Sequence, residues 1–510
     1  MSGDPPRLGL GLLKRALIAG VLITVLTAAA VSSAAFLQVD DIIAVVEREG
    51  RAPIALPDID RADAGSPRTL MVLGSDKRFG DKGKPRSDTI ILMRLDPDKE
   101  AVSVMSIPRD LKVTIPGNQV ATKINGAFEQ GGPALTLKTV KKALSTPGRP
   151  FKINHVIQIN FSGFQRVINY IGCVYYDVDQ RYFNDNAQGQ NYAAIDIKPG
   201  YQRLCGQDSL DYVRHRHNDN DLVRAARQQD FLRQVKNQRG VSKLKDPTNI
   251  KELAKVFSRY LDSDAGLRKR QTLFSVAKLA IFASSKPVRE IPFRITGEEA
   301  DGAYLLASDS AIKKTVGEFM RAKAAVKPSS SSKKKPKATR TTRKRKRRRA
   351  AASRDVPGLT DGTREGEDQA LIAEPKIDFP LYFPSLRREG AVFDGGLASE
   401  PTTRTYSVRD ERGRLHRAYR LTVRIGVSGF REYYGIQGTT WREPPVLDDP
   451  TETRTVNKRK LSLFYDGRRL RLVSWRTDRS VYWISNTLLR KLTNRQMLAI
   501  AGSLRRLGAK

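Results

Sequence analysis

The stretch Tyr212–Gln228, YVRHRHNDNDLVRAARQ, concentrates residues suited to a charged substrate. It reads as a short strand on which alternate side chains share a face, so Arg214 and Arg216 point one way and Val213 and His215 the other. A polar turn follows at 217–219, and a helix starts near Asn220–Asp221. On that helix Asp221, Arg224 and Gln228 fall at i, i+3 and i+7 along one face. Leu222, Ala225, Leu232 and Val235 form the expected apolar stripe opposite. Arginine stays protonated, and its planar fork matches phosphate oxygens. Three arginines brought together repel unless an anion lies between them. A phosphate-binding centre and a solvated basic turn with ordinary salt bridges are both open on this stretch alone.

The elements that would position these residues are apolar strands alternating with helices. Strands are expected at Thr69–Leu73, Thr89–Leu95, Ala101–Ile107, His155–Ile159 and Cys173–Val178. Helices are expected at 135–144, 161–171, 249–261 and 311–324, giving a layered α/β domain over 68–325. The strands end or begin on charged motifs: Gly74-Ser75-Asp76-Lys77-Arg78, Arg86-Ser87-Asp88-Thr89, Pro108-Arg109-Asp110, then Lys123-Ile124-Asn125. Open α/β sheets bind ligands at the carboxyl ends of their strands. Carboxylates such as Asp76 and Asp88 suit Mg²⁺ or Mn²⁺ held together with substrate phosphates. Cationic side chains beside a metal are what phosphoryl transfer needs, because its transition state carries charge on non-bridging oxygens. No P-loop, glycine-rich kinase loop or GxSxG elbow occurs, which counts against nucleotide kinases and α/β-hydrolases.

Taken in order, these motifs make the sequence similar to the LytR-CpsA-Psr family of cell-wall ligases. The matching segments are LGSDKR (73–78), RSDTIIL (86–92), VSVMSIPRDLKVTIPG (102–117), KINGAFEQGGP (123–133), YVRHRH (212–217) and DLVRAARQQ (221–229). The resemblance implies a three-layer α/β/α domain with an apolar tunnel for a lipid tail, lined by apolar residues of 135–171. It implies a transferase that moves a glycopolymer from a polyprenyl-pyrophosphate carrier to a sugar hydroxyl of peptidoglycan. A phosphodiester forms and polyprenyl phosphate leaves. By motif, Asp76 and Asp88 would hold the metal. Arg78, Arg109, Lys123, Arg214, Arg216 and Arg224 would bind or neutralise phosphates. Asp110, Asp221 and Gln228 would orient the arginines or the acceptor.

Charge and composition agree with an exported protein that meets polyanions. The chain of 510 residues carries a formal net charge of +37. Residues 16–39 hold no charge, enough to span a hydrocarbon core that needs about 20 residues. Basic residues precede this run and Asp40 and Asp41 follow, so the expectation is a cytoplasmic tail (1–15), one membrane anchor and an extracytoplasmic body at the cell membrane. A cleaved signal peptide, with Ser33-Ala34-Ala35 at its end, also exports the body. Residues 40–67 read as a stalk. In such a compartment Cys173 and Cys205 are expected to pair, closing a loop of about 30 residues.

Residues 326–375, with KKKPK and RKRKRRR, read as a disordered basic linker, and 376–510 as a separate, small α+β domain. There, hairpins are expected around Gly413 and around Asp466-Gly467, and a helix from Asn494 to Leu507 capped by Thr493 and Gln496. Tyr433–Trp441 is either a sugar-binding aromatic edge or core. Other readings of the whole are a non-catalytic wall-polymer binder and a polyprenyl-pyrophosphatase. Nucleic acid is not an expected partner, because the basic run lies beyond the export segment.

Overall fold

The computed structural model describes Ala44, residues 52–323 and residues 356–508, apart from 64, 76–86, 186–192, 216–220, most of 239–287, 300–303, 397–400, 427–430 and 458. The apolar run 16–39 lies outside them, and no helix among the described residues is long and apolar enough to cross a membrane.

The N-terminal unit is built on a mixed six-stranded sheet. Its strands are β1 (Arg68–Ser75), β2 (Ser87–Asp96), β3 (Ala101–Ile107), β4 (His155–Asn160), β7 (Leu261–Ser263) and β8 (Val288–Glu290), in the order β7-β4-β1-β2-β3-β8. Around it, apart from several strands of two or three residues, lie α1 (Gly126–Leu144), α2 (Phe161–Tyr170), β5 (Val174–Val178), β6 (Gly200–Leu204), α3 (Gly206–Arg214), α4 (Asp221–Lys236) and α5 (Asp309–Arg321). Strand β1 pairs parallel with β4 and antiparallel with β2. Strand β2 runs antiparallel to β3. The register brings Ser75 opposite Ser87 and Asn160, and Ile90 opposite Ile107. The end of β1, the start of β2, the end of β3 and the end of β4 therefore share one edge of the sheet.

Alternation along the strands loads both faces of the sheet. Met71, Leu73, Ile90, Leu92, Met105 and Ile107 pack with Phe128, Leu137, Val140 and Leu144 of α1 and Phe319 of α5. Leu70, Val72, Ile91, Met93 and Val104 point the other way, towards Leu232 of α4. The three expected layers are present. Leu137, Val140, Leu144, Phe151 and Ile153, however, belong to the first face and are core. Helix α1 is longer than expected and begins at Gly126, with a break at Gly131–Gly132 ahead of Pro133.

The cysteines are bridged, Cys173 to Cys205. Cys173 lies just before β5, not within it, in a left-handed conformation (φ 67°) that favours glycine. The bridge joins the entry of β5 to the start of α3. Most of the expected helix 249–261 lies outside the described residues, and its last residue opens β7.

The C-terminal unit is dominated by an antiparallel sheet of β9 (Thr403–Arg409), β10 (Leu415–Ile425), β11 (Glu432–Thr439), β12 (Glu452–Val456), β13 (Arg459–Asp466), β14 (Arg469–Arg476) and β15 (Val481–Ser485), joined by a short strand at Val392–Phe393. The order is β10-β11-β15-β14-β13-β12, with β9 and the short strand both on β10. Helices α6 (Thr363–Ala373) and α7 (Asn494–Ser503) cover it. The unit starts by Val356, so the expected linker ends well before 375. The capping box of Thr493 and Gln496 is formed. The helix it opens stops at Ser503, and Leu504–Arg506 leaves as a strand. Asp466 pairs with Arg469, so the turn is Gly467-Arg468. Tyr433, Tyr434 and Trp441 are buried, which makes the aromatic run core rather than a sugar-binding edge.

The two units are joined. Tyr175 of β5 and Tyr201 of β6 sit in one apolar cluster with Trp441, Val446, Leu472 and Trp483. Asp177 of β5 meets Arg420 of β10 at 2.5 Å and accepts from Trp483 Nε1 at 3.0 Å, all three residues being buried. Gly435 lets Arg420 lie flat on β11, because a Cβ there would strike the guanidinium.

Candidate functional site

The shared sheet edge carries the charged motifs, and Arg109 is their hub. Its Nη1 lies 2.7 Å from Asp88 Oδ1, and its Nε lies 3.5 Å from Asp110 and 3.8 Å from Asp221. Its backbone N–H donates to Asp221 Oδ2 at 3.0 Å. Lys123 pairs with Asp110 at 2.9 Å. Asn125 reaches Asp88 at 3.5 Å and its N–H donates to the Arg109 carbonyl at 3.3 Å. The Lys123-Ile124-Asn125 and Pro108-Arg109-Asp110 motifs are thus laced together at the end of β3.

Helix α4 supplies the other wall. Arg224 pairs with Asp221 one turn earlier. Gln228 donates to Thr89 Oγ1 at 3.1 Å and to the Val213 carbonyl at 3.2 Å. Helix α3 contributes Arg214, which pairs with Asp211 at 2.6 Å and lies 5.3 Å above the Phe161 ring. The expected strand at 212–214 is therefore the last turn of a helix. Tyr212 packs inward there against Tyr176 and Phe231. Arg214 reaches the site by helical position, not by strand alternation. Asp76, Arg78 and Arg216 lie outside the described residues.

Below these charges lies a cavity of about 560 Å³. Its mouth carries Asp88, Thr89, Asn160, Arg214, Arg224 and Gln228. Its depth is formed by Val72, Ile91 and Met93 of the sheet, Phe164 and Val167 of α2, and Phe231, Leu232 and Val235 of α4. The apolar stripe expected opposite Arg224 is corrected by this arrangement. Leu232 and Val235 continue the face of Arg224 and Gln228 at helical spacing, and only Leu222 and Ala225 face elsewhere. Polarity on α4 is graded along its axis, charged at the sheet edge and apolar deeper in. The lining expected from 135–171 is met only by its last part, residues 159–168 of β4 and α2.

Among the described residues Arg109, Lys123, Arg214 and Arg224 each have an aspartate partner. These carboxylates offset the repulsion among the arginines and hold the guanidiniums in place. Burial holds the Asp221 carboxyl above its usual range, against the opposing pull of Arg224 and Arg109. Among the described residues no group of three or more His, Cys, Asp or Glu side chains forms a metal-binding cluster. A cation bound by few protein groups still fits. The Asp88 side chain is 36% exposed at the mouth, and among the described residues only its Oδ1 is taken. One or two carboxylates plus substrate phosphates suffice for Mg²⁺.

Sequence reasoning missed Arg227. This fully buried residue donates to the carbonyls of Tyr212 at 2.8 Å and His215 at 3.0 Å, and its guanidinium lies 4.6 Å from the Tyr182 ring centre. It fastens the end of α3 to α4, and so sets Arg214 relative to Arg224. Its place three residues after Arg224 was the available signal.

The chain is similar to several known proteins. The chain is 29% identical over 259 residues to a protein of Oceanobacillus iheyensis named polyisoprenyl-teichoic acid–peptidoglycan teichoic acid transferase TagU, covering 49% of this chain and 74% of that one. It is 31% identical over 196 residues to the TagV protein of the same activity name in Bacillus subtilis, covering 37% and 47%. The chain spans about half the length of most curated relatives it matches, for instance 41% of a Staphylococcus aureus protein and 51% of a TagU of Bacillus mycoides. A solved structure titled "TagT bound to LIIa-WTA" is 24% identical, with a TM-score of 0.42 over 52% of this chain and 98% of that one. The LytR_cpsA_psr family model matches residues 40–321, more than half of the chain, and the protein belongs to that family.

Proposed function

We propose that the protein is an extracytoplasmic, membrane-anchored phosphotransferase. Its donor is a glycopolymer on a polyprenyl-pyrophosphate carrier, and its acceptor is a peptidoglycan sugar hydroxyl. One observation carries the reading: a single cavity is apolar in its depth and ringed at its mouth by Arg214, Arg224, Gln228 and Asp88. A prenyl tail and a pyrophosphate, joined covalently, ask for those two surfaces side by side. The names of the curated relatives support the same chemistry.

On this reading the tail enters between α2, α4 and the sheet, and burial of apolar surface holds it at roughly 25 cal/mol per Å². Arg109, Arg214 and Arg224 take the pyrophosphate oxygens as their aspartate partners give way. The acceptor oxygen forms a bond to the phosphorus that carries the sugar. The bond from that phosphorus to the bridging oxygen breaks, polyprenyl phosphate leaves, and the hydroxyl proton is released. Asp88, with Asp76, would hold Mg²⁺, which supplies charge neutralisation on the phosphates. Asp221 and Gln228 keep the arginines in register between α4 and the end of β3.

The test incubates the purified full-length protein in detergent with a polyprenyl-pyrophosphate-linked oligosaccharide, Mg²⁺ and a peptidoglycan fragment. Mass spectrometry should find the phosphodiester-joined glycan and polyprenyl phosphate, and both should disappear in Asp88→Ala. Free glycan phosphate without the joined product would indicate a pyrophosphatase instead. Tight lipid binding with no turnover would indicate a binding protein.

A further inference from the structure

A second and larger cleft lies on the other side of α4, in the seam between the two units. Its volume is about 1290 Å³, above the roughly 300–1,000 Å³ usual for a small-molecule site. Ion pairs between the units form its inner wall. Arg490 of the C-terminal unit meets Glu290 at the end of β8 at 2.7 Å and Asp466 at 3.0 Å, and Arg289 lies 3.6 Å from Asp466. Gly467, at φ 61°, allows the Arg289 guanidinium to lie against the β13–β14 turn. Tyr465, Pro292, Leu222 and Leu498 add apolar surface.

Four further cations line this cleft: Arg321 and Lys323 from the N-terminal unit, Arg468 and Arg469 from the C-terminal unit. All four are exposed. Among the described residues none has an ion-pair partner, in contrast to every arginine at the mouth of the first cavity. Cations left unpaired on opposite walls of a cleft raise the local concentration of an anion.

The cleft also leads to the site. Leu222 and Ala225 of α4 line it, while Arg224 and Gln228 on the same turns line the cavity. Beyond β8, Ile291 donates to the Val104 carbonyl at 2.8 Å, so the wall Ile291–Arg294 runs beside β3 towards Arg109. We infer that this cleft binds an extended anionic polysaccharide, sugars bearing phosphate or carboxylate groups, on its way to or from the catalytic edge. The apolar and aromatic surface would pack against sugar faces, and the four cations would meet the charges. The inference rests on the proposed transfer only for placing that polymer in the reaction.

The test uses full-length protein in detergent with the Lys and Arg residues of 333–349 replaced by Ser throughout, so that the basic run does not bind the probe. Fluorescence anisotropy follows a labelled poly(glycerol phosphate) oligomer, with oligogalacturonate and neutral dextran as competitors. The fourfold variant Arg321→Ala/Lys323→Ala/Arg468→Ala/Arg469→Ala should raise Kd at least about tenfold, the four-charge loss exceeding the ~1.4 kcal/mol of one decade. The two double variants, one on each unit, should give intermediate losses, and an unchanged melting temperature shows that the fold is kept. The binding arm contains no prenyl-linked donor and no peptidoglycan, so it reads the cleft whether or not transfer occurs. Anionic oligomers of either kind should compete, and dextran should not. An unchanged Kd in the fourfold variant, or competition by dextran equal to that of the anions, would overturn the inference. In the transfer assay, a KM raised only for long-chain donors would assign the cleft to the donor polymer, and one raised only for the acceptor would assign it to the peptidoglycan strand.

Discussion

Asp221 shows how much of the site rests on one carboxylate. It receives the Arg109 backbone N–H and pairs with Arg224, so it couples the end of β3 to α4. Burial raises its pKa, and it must be ionised to do both. The acid limb of kcat/KM should therefore lie above the ordinary carboxylate range. In Asp221→Asn the limb should move to lower pH, and kcat/KM should fall by about 10- to 100-fold for a lost charged hydrogen bond of ~1.5–3 kcal/mol. A pH–rate profile with the same limb in the variant would place the titration elsewhere. Stability follows the opposite course. Because the folded carboxyl holds its proton more tightly, its contribution is fully present below the unfolded value of about 3.9 and is lost as pH rises through the raised folded value. Melting temperatures of Asp221→Asn should lack that loss. Asp88, Arg109, Lys123, Arg214, Arg224, Asp221 and Gln228 were all legible as motif residues, and the structure gathers them at one edge. Their pairing was not legible: Asp221–Arg224 looks like an ordinary i, i+3 helix pair until the helices converge, and Asp211–Arg214 was hidden by the strand-like alternation around it.

At the scale of elements, apolar runs bounded by Gly, Pro and Asp located the central strands within one or two residues, because burial on both faces leaves an unbroken apolar signature. Helix α3 misled for a physical reason. Val213-Arg214-His215-Arg216 alternates like a strand, and the helix ends there after only nine residues. Its buried Tyr212 is set by packing against β5 and α4, which no local pattern reveals. Helix α4 misled differently. A helix whose one face passes from a charged mouth to an apolar depth has no clean opposite stripe, and its lower turns looked like core. Cys173, expected inside a strand, instead precedes β5 with a left-handed backbone that no local pattern shows.

At the scale of the molecule, reading the C-terminal unit as separate fails at Asp177. Its charge, and the aromatic faces of Tyr175 and Tyr201, sit on an N-terminal strand pair but are satisfied from β10 and β15. Sequence separation of 243 residues hid the pairing. Removing Arg420 leaves a buried carboxylate with one indole donor, and breaking such a pair costs about 3–5 kcal/mol. Arg420→Ala should lower the melting temperature clearly, and a chain ending at 325 should aggregate through the exposed Tyr175–Tyr201 surface. A truncated chain that is monomeric, and as stable as the whole, would show that the units fold independently.

The central claim is that one cavity takes the prenyl tail while its mouth holds the pyrophosphate. The most direct measurement is kcat/KM for full-length protein against donors that share one glycan and differ only in prenyl length. The value should climb with chain length until the space between α2, α4 and the sheet is filled, and then level off. Leu232→Trp, which fills that depth, should make it level off at a shorter chain without lowering the rate for the shortest donor. A kcat/KM independent of prenyl length, or a Leu232→Trp profile that matches the parent, would contradict the account.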